Sequence, residues 1–207
     1  MQTIQTMPTQ TAPRRGRPPR ADSRLPQVLD AAAAQFAAKG YQAASIRDIV
    51  GAVGMLPGSL YCHFANKGEL LAAVYAEGVR RVSEAVRAAA SRHEDPWERL
   101  EAACAAHLES LLDRSAYANV VISVRPDTVP ELEAPMIALR DGYERLFSEL
   151  VEALPLPRGT SRRALRLMLF GALNWTPTWY RADGGESPQA LARAFVRLLR
   201  ARTEAGA

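Results

Sequence analysis

Apolar residues recur at helical spacing along almost the whole chain from residue 25 onward. In the first such stretch they are Leu25, Val28, Leu29, Ala32 and Phe36, and eight further stretches follow with the same period. A period near 3.6 residues is typical of amphipathic helices, and no segment alternates convincingly with period two. The sequence therefore predicts an all-α protein of about nine helices.

The breaks between these stretches carry residues that start and stop helices. Gly40 can end the first helix, and Ser45 can cap the start of the second. Gly54 ends the second helix, and Pro57 fits the first turn of the third, where a missing N–H costs nothing. Three short helices with a tight turn between the last two predict a helix-turn-helix motif.

The third predicted helix has a polar outer face. Leu60 and Phe64 are four residues apart, so both are expected to face inward. In a helix-turn-helix motif the last helix lies in the major groove of DNA. Ser59 can donate to a base edge or a phosphate, and Tyr61 and His63 can reach phosphate oxygens. Candidate DNA contacts on this helix are Pro57, Gly58, Ser59, Tyr61 and His63.

Residues 24–75 resemble the DNA-binding domain of the tetracycline-repressor (TetR) family. The matching motifs keep a fixed spacing: AAAAQF at 31–36, KGY at 39–41, SIRDIV at 45–50, GM at 54–55, GSLYCHF at 58–64 and KGEL at 67–70. The resemblance implies a helix-turn-helix domain over residues 23–70 and adds Arg47 and Lys67 to the DNA contacts. Leu56 stands where the family usually has a polar cap. Pro57 stands where it often has a basic residue, so Pro57 is expected to touch a thymine methyl group.

Residues 1–22 have no hydrophobic period and are expected to form a disordered basic arm. Residues 1–24 contain five arginines and one aspartate, so they carry the whole net charge of +4. Arg15-Gly16-Arg17-Pro18 resembles the core of an AT-hook, in which arginines enter a narrow A·T-rich minor groove. A basic leader with only non-specific DNA affinity is the alternative for Arg15 and Arg17.

Residues 71–207 are predicted to form a ligand-binding and dimerisation domain, because helical domains often enclose ligands between helices. For each candidate taken singly, ordinary core packing is the simpler interpretation. The candidate lining residues are Trp97, Cys104, His107, Tyr117, Phe147, Met168, Asn174, Trp175 and Trp179.

The stretch from residue 170 to 181 is similar to a late helix of TetR-family regulators that respond to acyl-coenzyme A or related lipids. It contains Pro177, which is expected to kink or end the eighth helix. The similarity implies a small hydrophobic effector with an acyl-type chain, whose charged head could meet Arg125, Arg140 or Arg181. An aromatic or drug-like effector is the alternative.

The eighth and ninth helices have more apolar surface than one packing face needs. The TetR resemblance implies that they pair with a second copy across a two-fold axis. A two-fold dimer presents two recognition helices and therefore requires a near-palindromic operator. The sequence predicts a homodimeric regulator of double-stranded DNA and leaves repressor or activator open, with repressor favoured.

Other classes of function find little support. Cys62 and Cys104 have no metal-ligand spacing, and neither a phosphate loop nor a dinucleotide fingerprint occurs, so no metal or cofactor is expected. Ser59 and His63 could mimic a nucleophile and base, but no orienting acid is apparent, so no catalytic residue is assigned. No apolar stretch is long enough to span a membrane, and the N-terminus lacks a signal core, so a cytoplasmic location is expected. An architectural DNA binder that uses only the arm is a further alternative.

Overall fold

The structure is a computed structural model that describes residues 24–125 and 129–204. Within these ranges the chain forms nine α-helices, one 3₁₀ turn (Pro130–Leu132) and no strand, which confirms the predicted all-α class. The helices are α1 (Leu25–Ala43), α2 (Ile46–Ala52), α3 (Pro57–Leu60), α4 (Lys67–Ala90), α5 (Pro96–Leu112), α6 (Ala116–Ser123), α7 (Glu133–Glu152), α8 (Arg162–Trp179) and α9 (Pro188–Glu204).

Short polar side chains satisfy the first N–H groups of several helices. The Ser45 side chain accepts a hydrogen bond from the Arg47 N–H at 3.1 Å, so the predicted cap of α2 is confirmed. Asp95 accepts from two N–H groups at the start of α5, at 2.9 and 3.0 Å. Gly40 leaves the helical conformation with φ 74°, a value that suits glycine, and it breaks α1 near its end.

The recognition segment is shorter than predicted. α3 ends at Leu60, because Tyr61 to His63 form a turn and only four residues keep regular α-helical pairing. The Phe64 N–H still bonds to the Leu60 carbonyl at 3.0 Å, so the backbone continues as one tight coil. Leu56 makes no side-chain cap, as its apolar character predicts, and Pro57 occupies the first turn. The buried Leu60 anchors α3 to the core.

Two apolar cores hold the molecule together, and α4 contributes to both. One contains the buried faces of α1, α2 and α3 together with Tyr117 and Val120 of α6 and Met136 of α7. The other joins the end of α4 to α5, α7, α8 and α9. The core of the helix-turn-helix domain is therefore completed by residues far beyond position 70. The boundary predicted between residues 70 and 71 falls inside the continuous helix α4.

Helix α8 contains a proline close to its C-terminal end. Pro177 lies in the last turn of α8, and the helix continues for two residues to Trp179 rather than stopping there. The Thr176 hydroxyl donates to the Ala172 carbonyl at 2.9 Å in the same turn. None of the described helices is long and apolar enough to cross a bilayer.

Candidate DNA-binding surface and ligand cavity

The outer face of α2 and α3 presents an exposed polar surface. Gly58 and Ser59 are exposed, and Tyr61 keeps 53% of its surface accessible. Arg47 is exposed in the first turn of α2, whereas its neighbour Asp48 is paired with the Lys39 ammonium at 3.0 Å. Pro57 is half-buried. This arrangement leaves hydrogen-bonding groups on the side of the motif that is expected to face DNA.

The side chain of His63 is less accessible for a contact with DNA than the sequence suggested. Its side chain is half-buried, and its Nε2 atom is covered by protein without a hydrogen-bond partner among the described residues. A phosphate contact by this residue would therefore have to use Nδ1. The role of His63 stays a prediction.

The Lys67 side chain binds other parts of the helix-turn-helix domain. Its ammonium donates to the carbonyl oxygens of Tyr41, Gln42 and Ala44, at 2.8, 3.1 and 3.1 Å. It also lies 4.6 Å from the centre of the Tyr41 ring. These bonds hold the end of α1 against the start of α4. Lys67 thus positions the helix-turn-helix motif, and its contact with DNA stays a prediction. The candidate contacts Arg15 and Arg17 lie outside the described residues.

A cavity of about 510 Å³ lies between α4, α5, α6, α7 and α8. Three of the predicted ligand residues line it: His107, Tyr117 and Asn174. Arg125 and Arg140, two of the three arginines expected to meet a charged head of the effector, also line the cavity. The third, Arg181, does not line it and pairs with Asp183 at 3.4 Å. The size of the cavity falls within the range of small-molecule pockets.

Sequence reasoning missed several residues of the cavity wall. Tyr143 of α7 and Phe170 of α8 line it beside His107, and Arg81 of α4 lines the part nearest α1. Gly78 of α4 also lines the wall, and a Cβ atom built there would lie 2.7 Å from a Val121 methyl carbon. Helical periodicity marked Tyr143 and Phe170 as apolar positions, but no local signal distinguishes a cavity wall from a filled core.

The other six candidate ligand residues lie outside this cavity. Trp97, Cys104 and Phe147 are buried in the core of the larger domain, where burial raises the pKa of the Cys104 thiol and leaves it unreactive. Met168, Trp175 and Trp179 point away from that core on the outer side of α8. Consecutive residues are 100° apart on a helix, so these three side chains share one stripe of α8, about 100° around the helix from the buried Leu169, Leu173 and Thr176.

Both α8 and α9 carry large apolar side chains that are exposed in one copy of the chain. Trp175 is 67% exposed and Met168 is 61% exposed, which is unusual for side chains of this size. We call the following residues the α8–α9 face: Leu167, Met168, Trp175, Trp179 and Leu198. Both helices pack on α5, so their outward sides stay uncovered in one copy of the chain.

Asp30 of α1 connects the cavity wall with the helix-turn-helix domain. The Tyr117 hydroxyl donates to the Asp30 carboxylate at 2.9 Å, and an Arg81 nitrogen lies 3.4 Å from the same oxygen. The Arg81 guanidinium lies 4.0 Å from the centre of the Tyr117 ring and bonds to Glu77 at 2.8 Å. Hydrogen bonds from Arg80 and Arg81 lower the pKa of Glu77 to about 2. Burial, together with the Asp30 carboxylate, raises the pKa of Tyr117, so its hydroxyl stays protonated and remains a donor.

A helix-turn-helix surface coupled to a helical domain with an internal cavity defines a DNA-binding transcription regulator. Residues 28–74 match the family described as "Bacterial regulatory proteins, tetR family", and residues 93–202 match "Tetracyclin repressor-like, C-terminal domain". The chain belongs to the TetR family. This is a family of regulators rather than enzymes, in agreement with the expectation that Ser59 and His63 are not a catalytic pair.

Relatives span nearly the full chain. The "HTH-type transcriptional repressor KstR2" of Rhodococcus jostii (strain RHA1) is 27% identical over 194 residues, covering 88% of this chain and 95% of that protein. The "Fatty acid metabolism regulator protein" of Bacillus subtilis (strain 168) is 24% identical over 179 residues, covering 84% and 92%. Among solved structures, that of "superantigen PfiT" is 31% identical, covers 88% of this chain and 97% of its own, and has a TM-score of 0.75.

Proposed function

We propose that the protein is a homodimeric TetR-type repressor that binds a near-palindromic operator and is released by a small hydrophobic effector of the acyl type. The observation that carries the proposal is Tyr117, because it lines the cavity and also donates a hydrogen bond to Asp30 of α1. A ligand in the cavity contacts a group that directly holds the DNA-binding domain. Operator binding would place the protein in the cytoplasm.

Charge and size support an apolar ligand with an anionic end. Glu144 is neutralised by Arg166 at 2.7 Å, and Arg81 is paired with Glu77 and Asp30. Arg140 is exposed, lines the cavity and makes no ion pair with the described part of the chain. It is therefore available to a ligand phosphate or carboxylate. The naming of one relative as a regulator of fatty acid metabolism favours an acyl chain as the apolar part.

An aromatic effector is the second candidate, because part of the cavity wall is formed by aromatic rings. Tyr143 and Phe170 stand edge-to-face with centroids 6.3 Å apart, and Phe170 is edge-to-face to Phe147 at 4.7 Å. Tyr143 and Phe170 line the cavity and would also pack well against a planar ring.

Release requires that the effector prefers one of two conformations. A ligand shifts such an equilibrium only by the difference between its affinities for the two states. Moving Tyr117 would disturb its bond to Asp30 and its contact with Arg81, and α1 would lose two polar links to the ligand domain at once. The spacing of the two recognition segments would then no longer match successive turns of DNA, about 34–36 Å apart.

A release assay on the DNA upstream of the protein's own gene tests the proposal. The protein is bound to this fragment at low salt and titrated with acyl-coenzyme A thioesters of graded chain length and, separately, with planar aromatic acids. We expect release by acyl compounds, read by fluorescence anisotropy. Release by an aromatic acid alone would replace the acyl effector with the second candidate, and failure to bind the fragment would refute the repressor itself.

Replacing Tyr117 by Phe tests the connection to α1. The ring keeps its place in the cavity wall, so we expect the affinity for an active thioester to change less than about threefold. The thioester should nevertheless reduce operator affinity by about tenfold less than in the wild type, because a hydrogen bond to a charged group contributes about 1.5–3 kcal/mol. Thioester affinity is measured with and without operator DNA, and operator affinity is measured with and without the thioester.

The matched variant for this experiment is Asp30→Ala. If the bond between the two residues carries the effect, Tyr117→Phe should add little to the effect of Asp30→Ala in the double variant, as in a double-mutant cycle. Additive effects of the two substitutions would show that Tyr117 and Asp30 act independently.

A further inference from the structure

One leucine on the DNA-binding surface is largely exposed. Leu56, in the turn between α2 and α3, keeps 77% of its surface accessible, more than any other large apolar side chain in the described part of the chain. Its neighbour Met55 packs against the core of the helix-turn-helix domain. The backbone at Leu56 is extended, and successive side chains of extended backbone point to opposite sides. The Met55 N–H bonds to the Val50 carbonyl at 2.8 Å, so the turn that holds Leu56 outward is fixed.

A leucine at position 56 has a cost that a short polar residue avoids. Leu56 is the cap residue of α3, and it makes no side-chain bond to the first N–H groups of that helix. Serine, threonine, asparagine or aspartate accepts such a bond and stabilises the helix. Leu56 therefore contributes neither a cap nor core packing to the protein in the absence of DNA.

The residues beside Leu56 indicate what its side chain contacts. Gly58 and Ser59 are exposed on the same short segment, and the exposed Tyr61 follows at its end. In a helix-turn-helix motif the first residues of the last helix contact base edges in the major groove. The apolar group that a base pair presents in this groove is the 5-methyl group of thymine. A leucine side chain has no donor or acceptor for a phosphate, so the thymine methyl group is the partner that it fits.

Pro57 is the other candidate for this contact, and its position suits the contact less well. Pro57 is half-buried in the first turn of α3, whereas most of the Leu56 side chain is free of protein contacts. We propose that Leu56 is a specificity-determining residue that recognises a thymine in each operator half-site through van der Waals contact with its 5-methyl group. This inference rests on the operator binding of the proposed function and names a base that each half-site contains.

The probe for the test is a duplex that the wild-type protein selects from a random pool, so the natural operator need not be known. Each thymine is replaced in turn by deoxyuridine, which removes the methyl group and keeps the base pair. At one symmetric pair of positions we expect the wild type to lose about fourfold in affinity per half-site, or about 15-fold for the pair, because about one buried methyl group is removed. Fluorescence anisotropy measures these affinities.

Leu56→Ser removes the apolar contact and supplies a capping oxygen. This variant should bind the thymine and uracil duplexes with affinities that differ by less than about twofold, since a hydroxyl group gains little from the methyl group. Its unfolding temperature should rise by about 2–4 °C, because a cap stabilises the helix. A gain in stability together with a loss of the methyl preference separates base recognition from a defect in folding. Leu56→Met keeps a long apolar side chain and should retain the preference.

Two further variants control this experiment. Ile137→Ser removes an exposed apolar side chain of α7, far along the chain from the helix-turn-helix motif, and should keep the methyl preference. Pro57→Ala tests the neighbouring candidate. Whatever its overall operator affinity, this variant should still bind the thymine duplex several-fold more tightly than the uracil duplex.

Failure of the inference differs from failure of the proposed function. If the wild type selects a duplex but no uracil substitution weakens binding, operator binding stands and the role of Leu56 is refuted. A full methyl preference in Leu56→Ser refutes it as well, and its loss in Pro57→Ala would then assign the contact to Pro57. If the wild type enriches no duplex from the pool, operator binding and the thymine contact are both refuted.

Discussion

Trp175→Asp is expected to turn the dimer into monomers and to lower operator affinity by about a hundredfold or more. Trp175 is the most exposed aromatic residue on the α8–α9 face. A two-fold interface uses the same surface on both copies, so one substitution removes two tryptophans and introduces two buried carboxylates. Large aromatic residues at an interface often contribute about 2 kcal/mol or more each. A monomer then retains only one of the two operator half-site contacts.

Sedimentation equilibrium of the free protein and anisotropy with operator DNA measure the two parts of this prediction. Ile137→Asp is the matched control, because Ile137 is 41% exposed on α7, outside the α8–α9 face. The control should remain dimeric and bind DNA normally. A dimeric Trp175→Asp protein with unchanged operator affinity would show that the two copies pair through another surface.

Tyr61→Ala is expected to reduce operator affinity by about 30-fold or more, at about 1–3 kcal/mol for each of the two half-sites. The side chain is 53% exposed at the end of α3, and Leu60 beside it is buried and holds the segment in place. The tyrosine hydroxyl is neutral, so the salt dependence of binding, which reports the phosphates neutralised by Lys and Arg, should stay unchanged. Anisotropy titrations at several salt concentrations measure both quantities.

The control for this prediction is Tyr61→Phe, which keeps the ring and removes only the hydroxyl. It should lose only the part of the operator affinity that the hydrogen bond of the hydroxyl supplies. Both proteins should unfold at nearly the wild-type temperature, because an exposed side chain contributes little to stability. Wild-type operator affinity in Tyr61→Ala would exclude this face of α3 from the DNA interface.

Much of the helix-turn-helix domain could be predicted because its signals are local. Ser45 caps α2 through a bond to a residue two positions away, and Gly40 interrupts α1 through its own backbone conformation. Leu56 lacks a polar oxygen, so its missing cap could be predicted from the residue alone. The predicted length of α3 was wrong. One pair of apolar residues at helical spacing does not determine where a short helix ends in a turn.

The ligand site could be predicted only in part. Periodicity placed His107, Tyr117 and Asn174 on helices, but it also selected Trp97 and Phe147, which fill the core instead. Cavity walls and cores are lined by the same types of residue, so composition cannot separate them. The hydrogen bonds of Lys67 could not be predicted from the sequence, because the carbonyl groups that it binds lie 23 to 26 residues away, at the end of α1.

The sequence by itself determined the helical class, the position of the helix breaks and the presence of a DNA-binding motif of the TetR type. Each of these depends on interactions within a few residues, or on a repeat that a single helix displays. Only the tertiary structure decided that α6 completes the core of the DNA-binding domain, and that Tyr117 meets Asp30 across 87 positions of sequence. Such contacts depend on how helices pack, and packing selects among many arrangements of the same apolar faces.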